Sequence, residues 1–248
     1  QIDHLAGNAH LALGQSDAAY ARYLHAVENY PLSIYSYLSL VKLVDANVPV
    51  DDLDRGLVDY FAGANDVALV AFDRYIEANP THDGTASYYR ALTLREMQRN
   101  QEAIDALEAF IKSYPSHPRW TEAWEDKSFL EWAVQGNYQA GVKTLLDFVA
   151  AVPNSNQSPS YLMTAARVTE RNNRLHEAVQ IWERVASEYP ASEQVADALH
   201  LASITRYRLG DFSGALIVFQ RGLLLAILPE DRARALLWIG KTQQQLGD

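Results

Sequence analysis

Leu209-Gly210-Asp211-Phe212-Ser213-Gly214-Ala215-Leu216-Ile217-Val218-Phe219 decides the fold. Gly210 accepts a left-handed backbone at no steric cost and so ends a helix. A new helix opens at once. Ala215 and Phe219 lie one helical turn apart, a small residue where two helices approach and a large one to fill the space beside it.

The phrase recurs along the chain. Leu13-Gly14 leads to Ala19, Tyr23 and Tyr30-Pro31, and Ala62-Gly63 leads to Ala68, Phe72 and Asn79-Pro80. Gln98 stands in the Gly place before Ala103, Leu107 and Tyr114-Pro115. Gln135-Gly136 leads to Gly141, Leu145 and Val152-Pro153, and Asn173 precedes Ala178, Trp182 and Tyr189-Pro190. After Gly210 the closing Pro229 comes two residues late, and Leu246-Gly247-Asp248 opens one more copy. Pro closes each second helix because it lacks an N–H and clashes with the preceding turn. From Pro80 through Pro115 and Pro153 to Pro190 the steps are roughly 35–38 residues, close to the roughly 34-residue period of a helix–turn–helix repeat.

This pattern resembles the tetratricopeptide repeat family over nearly the whole chain. The resemblance implies an all-α, right-handed α-α superhelix, a solenoid of about 14 antiparallel helices. The small residue of the first helix is Gly56, Ala91, Ala166, Ser203 and Gly240, but Phe129 stands there in one copy, and the consensus Trp is missing from most.

With 48% apolar and 21% charged residues, the composition is that of an ordinary globular chain. No apolar run approaches the ~18 residues of a membrane span. The longest, 222–228, is far shorter. A net charge of −10 argues against a non-specific nucleic-acid binder. The absence of cysteine excludes disulfides, cysteine zinc sites and thiol catalysis. The chain opens on Gln1 without a signal-like segment, so a targeting segment or a longer N-terminal region is expected to have been removed.

The periodicity predicts helices over 2–13, 17–29, 33–45, 51–61, 66–78, 83–97, 101–113, 118–134, 138–152, 159–172, 175–188, 192–209, 212–228 and 229–246. Ser16 or Asp17 is the expected cap of the second, and Ser158 the cap of 159–172 with Pro159 in its first turn. No strand is expected. Residues 1–248 read as one solenoid, a fragment of a longer chain, with the polar 154–158 segment as the place for a bend. Leu236, Leu237, Trp238 and Ile239 look unlike a polar cap, so this last helix is expected either to continue into further chain or to dock onto a partner.

Chemistry is sparse. His4, His10, His25, His82, His117, His176 and His200 show no metal-ligand spacing, and no phosphate loop or nucleophile elbow appears. No catalytic residue, metal or cofactor is expected within 1–248. Asp51, Asp52, Asp54, Asp59, Asp66 and Asp73 form an acidic group, read either as a site for a cation or basic ligand or as acids favoured at helix N-termini; the second fits Asp51 and Asp52. Trp120 and Trp124 are read as core, with stacking on sugar or peptide as the alternative.

In the tetratricopeptide family the first helices line the inner wall. The resemblance therefore implies a binding row of Tyr88, Leu92 and Arg95, then Met163, Arg167 and Glu170, then His200, Ile204 and Tyr207, extended by Arg234 and Lys241. The mixture suits an extended polar ligand, a protein segment, peptide or glycan strand, because Arg pairs with carboxylates and Tyr stacks. The Lys/Asn clamp for a C-terminal carboxylate is not evident.

A second resemblance adds detail. Tyr37-Leu38-Ser39-Leu40, Val48-Pro49-Val50-Asp51, Arg55-Gly56-Leu57-Val58-Asp59-Tyr60 and the run 226–248 look like the helical region preceding the catalytic domain of bacterial soluble lytic transglycosylases. That family's catalytic Glu-Ser pair is absent here. The resemblance implies a non-catalytic scaffold in the periplasm or cell envelope, a peptidoglycan strand as ligand and an active site beyond Asp248. A general protein–protein adaptor is the alternative.

Overall fold

The computed structural model describes residues 1–226 and 228–247. Among them lie fourteen α-helices, one π-helical turn and no strand. The helices are α1 (Ile2–Ala12), α2 (Ser16–Asn29), α3 (Ile34–Asp45), α4 (Asp52–Phe61), α5 (Asn65–Ala78), α6 (Thr85–Glu96) and α7 (Asn100–Ser113). They continue with α8 (Trp120–Phe129), the π turn Leu130–Val134, α9 (Tyr138–Ala151), α10 (Ser158–Arg171), α11 (Leu175–Glu188), α12 (Val195–Arg208), α13 (Phe212–Leu225) and α14 (Pro229–Leu246). The 212–228 expectation overruns α13 and includes Ile227, which lies outside the described residues.

The chain forms two compact units, Gln1–Ala123 and Trp124–Asp248. Within each, helices pack chiefly on their neighbours in sequence. Most of the 154–158 segment lies in the short link between α9 and α10, inside the second unit, and its last residue, Ser158, opens α10.

Each recurring residue has a visible job. Gly14, Gly63, Gly136, Gly210 and Gly247 have φ between 70° and 92°, and Gln98 and Asn173, which replace Gly, adopt the same left-handed backbone at 58° and 57°. The small and large places are core: Ala19, Tyr23, Ala68, Phe72, Ala103, Leu107, Ala178, Trp182 and Ala215 are fully buried. Gly56 is small because a Cβ there would fall 2.5 Å from the Phe72 ring, and Gly7 meets Tyr23 in the same way.

Phe129 does not occupy the small place that its spacing assigns. It is 48% exposed, while Ser128 is buried and donates from Oγ to the Gly141 carbonyl oxygen at 2.9 Å. The π turn supplies the reason. It adds one residue between the small place and the left-handed Gly136, which moves the buried position back by one.

The loops after the second helices share a turn that the sequence reading missed. The N–H of Ser33, His82, His117, Ser155 and Ser192 donates to the carbonyl three residues earlier, on Tyr30, Asn79, Tyr114, Val152 and Tyr189. The same five side chains then accept the N–H two residues on, through Oγ of each Ser and Nδ1 of each His. The signal was visible as a Pro followed, two places later, by Ser or His. Two caps differ from expectation. α2 starts at Ser16 without a side-chain cap, and Ser158 lies within α10, its hydroxyl donating to the Val152 carbonyl.

Candidate functional site

The acidic group in the first unit is dispersed over separate tasks. Asp51 caps α4, accepting the N–H groups of Leu53 and Asp54, and Asp52 binds the Arg74 guanidinium. Asp73 pairs with Arg90 at 2.5 Å. Asp59 is buried with Arg55 Nε at 3.6 Å, and desolvation, partly offset by Arg55, pushes its carboxyl up to about 6. Desolvation, reinforced by the charges of Asp51 and Glu28, raises Asp54 to about 6 as well. No cluster among the described residues is arranged to hold a metal ion.

A second polar group gathers round Tyr114. Its hydroxyl lies 2.9 Å from His82 Nε2, and Ser87 Oγ lies 3.4 Å from the same nitrogen. Because His82 Nδ1 accepts the Gly84 N–H, neutral His82 carries its proton on Nε2. That nitrogen is a donor and cannot take a proton from Ser87, so the pair is not a nucleophile and base. The adjoining groove of about 440 Å³ also contains the Arg90–Asp73 ion pair.

Trp120 donates from its indole N–H to the Ile111 carbonyl at 2.9 Å, and the Trp124 ring packs edge-on to Phe148. Both are half-buried wedges.

The row of expected binding residues separates by unit. In the first, Tyr88 and Leu92 are buried, Tyr88 among Tyr89, Phe110 and His117, and Arg95 turns onto Glu96. In the second, Met163 is buried, which removes it from the available surface. The other positions remain exposed or half-buried. Cross-helix contacts tie Glu170, Tyr207 and Arg234 to neighbouring helices. Glu170 on α10 accepts from Arg208 on α12 at 2.6 Å. Tyr207 packs edge-on to Trp238 of α14, their ring centroids 5.4 Å apart. Arg234 lies 3.6 Å from Asp197, and Lys241 sits over the Trp238 ring. At the other end Arg171 of α10 lies over the Trp132 ring, 5.2 Å from its centroid. His200 packs near Phe219, and burial, with Arg234 nearby, lowers its pKa below the usual histidine value. The cavity beside it is only about 20 Å³, room for roughly one water.

Of the expected residues, Arg167, Glu170, His200, Ile204, Tyr207, Arg234 and Lys241 lie on this strip; Arg171, Arg208 and Trp132 lie beside them and were not among those expected. Arg171 and Arg208 immediately follow Glu170 and Tyr207 in register, so a row one residue wider would have caught them. Trp132 was hidden by the π turn. α14 also leaves Leu236 and Leu237 exposed. No helix among the described residues is long and apolar enough to cross a membrane.

Residues 85–117 match the model of the tetratricopeptide repeat family. No curated protein matches the chain in sequence. Among solved structures, a chain in "Structure of Naa15/Naa10 bound to HypK-THB" is similar over 99% of this chain and 34% of its own length, with 15% identity and a TM-score of 0.56. MamA from Desulfovibrio magneticus RS-1 is similar over 70% of this chain and 92% of its own, with 15% identity and a TM-score of 0.45. A tetratricopeptide repeat protein from Parabacteroides merdae ATCC 43184 is similar over 96% and 90%, with 15% identity and a TM-score of 0.43.

Proposed function

We propose, from the tetratricopeptide repeat match of residues 85–117 and the recurrence of the same helix–turn–helix spacing along the chain, that residues 1–248 act as a non-catalytic scaffold that grips an extended segment of a partner protein. The supporting observation is the strip across α10, α12 and α14. Glu170–Arg208, Arg234–Asp197 and Tyr207–Trp238 link its three helices, so part of a polar and aromatic surface is held in place before any ligand arrives. Such preorganisation lowers the ordering cost of binding. Peptides selected from a random display library on the whole chain are expected to lose binding with Tyr207→Ala and Ile204→Asp. Peptides that retain full affinity for both variants would remove the strip from this role.

The narrower proposal is an envelope protein of the lytic-transglycosylase kind, located in the periplasm, with a glycan strand as ligand. Its support is the resemblance of 37–60 and 226–248. Calorimetry with purified peptidoglycan strands decides it: heat of binding abolished by Tyr207→Ala favours the glycan, and no heat leaves the protein segment as ligand.

A further inference from the structure

The arginines of this chain are almost all neutralised. Arg22, Arg74, Arg90, Arg99, Arg174, Arg184, Arg206 and Arg234 each face a carboxylate within hydrogen-bonding range or close to it. Arg221 and Arg232 donate to backbone carbonyls. Arg167 and Arg171 do neither among the described residues. They stand one turn apart on α10, both exposed, and Arg171 rests on the Trp132 face. Lys241 at the far end of the strip likewise faces an aromatic ring and no carboxylate among the described residues. In a chain of net charge −10, cations kept clear of carboxylates are not an accident of composition.

Their surroundings narrow the ligand. The Phe129 ring, 48% exposed, lies 6.0 Å from the Trp132 ring on which Arg171 rests. Glu170, which would repel an anion, is already occupied by Arg208. The strip thus offers unpaired guanidinium groups beside exposed aromatic surface. Guanidinium binds carboxylates in a bidentate fork. Polyanions such as nucleic acid need many phosphate contacts, and two cations of this strip, Arg208 and Arg234, are already engaged by Glu170 and Asp197.

We propose that the face formed by Trp132, Arg167, Arg171 and Arg208 takes an acidic peptide segment, its Asp or Glu side chains on Arg167 and Arg171 and an adjacent apolar side chain on Phe129. The proposal rests on the scaffold function above and names the chemistry of its partner.

The test uses the whole chain and a fluorescein-labelled, C-terminally amidated peptide in which Glu and Asp flank a Leu-Phe pair. Amidation leaves side-chain carboxylates as the only anions besides the dye, and a labelled peptide without acids controls for the dye. Anisotropy is expected to show binding that weakens as salt rises from about 50 to about 300 mM, because exposed ion pairs are screened. Arg167→Ala with Arg171→Ala is expected to weaken it at least roughly tenfold, and Arg184→Ala, on α11, to leave it unchanged. In the unmutated chain, the peptide should protect Arg167 and Arg171 from phenylglyoxal, read by mass spectrometry; this arm does not depend on any variant folding. Absent binding, full affinity in the double variant, unprotected arginines, equal binding of the labelled peptide without acids or equal competition by a single-stranded oligonucleotide would each overturn the proposal. If display peptides without acids bind through Tyr207 while the acidic peptide fails, the acidic partner falls and the scaffold function stands.

Discussion

The Ser128 hydroxyl donates to the carbonyl oxygen of Gly141, so the close approach of α8 and α9 is made one residue earlier than the repeat spacing assigns. Gly141 is held by the same contact surface, since a Cβ there would lie 2.7 Å from Cβ of Trp132.

The shifted register gives an opposed pair of substitutions. Ser128→Phe overpacks a buried site and is expected to cost about 1–3 kcal/mol or more. Phe129→Ser changes an exposed position and should stay within about 0.5 kcal/mol. Urea denaturation of the two variants checks this; equal losses would contradict the assignment.

Gln98 carries a left-handed backbone without the freedom of glycine. That conformation costs a residue with a Cβ roughly 1–2 kcal/mol. The greater entropy of glycine in the unfolded chain offsets part of the gain by roughly 0.4–1 kcal/mol. Gln98→Gly is therefore expected to raise the urea midpoint modestly, and Gly210→Ala to lower it.

Gly56 and Phe72 form a matched pair. Gly56→Ala should destabilise by about 1–3 kcal/mol through overpacking. Adding Phe72→Leu should recover part of that loss, because the ring that the new Cβ meets is gone. A double-mutant cycle in urea measures the coupling. Strict additivity would contradict the contact.

Asp59 provides a pH dependence whose sign is fixed by burial. Its folded pKa, about 6, lies above the unfolded value of 3.8, so the folded chain binds the extra proton between them. The contribution is fully present below the unfolded pKa and is lost as pH rises through about 6. The shift corresponds to at most roughly 3 kcal/mol. His117 runs the other way. Burial lowers its folded pKa below 6.5, so its contribution is present above that value and lost as pH falls. Comparing unfolding free energies of the parent chain and Asp59→Asn from pH 4 to 7.5 isolates the first effect. The parent should lose stability relative to the variant as pH rises, and parallel curves would contradict the buried, desolvated carboxyl.

The repeated turn is tested at His117. His117→Ser retains an acceptor for the Arg119 N–H, as Ser155 and Ser192 do for their own turns. His117→Ala removes it and is expected to cost about 1 kcal/mol more than His117→Ser. Thermal unfolding of the two variants reads the difference.

Helices and turns were legible in the sequence because glycine conformation and the spacing of small and large residues are local properties. That is why Gln98 and Asn173 were recognised as Gly replacements. The π turn was not legible, since one added residue leaves the apolar pattern of 118–134 nearly unchanged, and Phe129 was misplaced in consequence. The strip proposed to bind a partner was half legible. Family register located Arg167, Glu170 and Tyr207, but Tyr88, Leu92 and Met163 hold the same register and are buried. Which side chains lack an ionic partner depends on contacts between residues far apart in sequence, such as Arg208 with Glu170, and no spacing rule reports it.

Helices that touch chiefly their successors have a consequence for how the chain acquires its shape. Short loops close before long ones, so each hairpin can form early and template the next, and folding should be fast for a chain of this length. Amide exchange should then open in hairpin-sized blocks instead of one concerted event. A hairpin loosened by substitution would unzip locally while distant helices keep their protons.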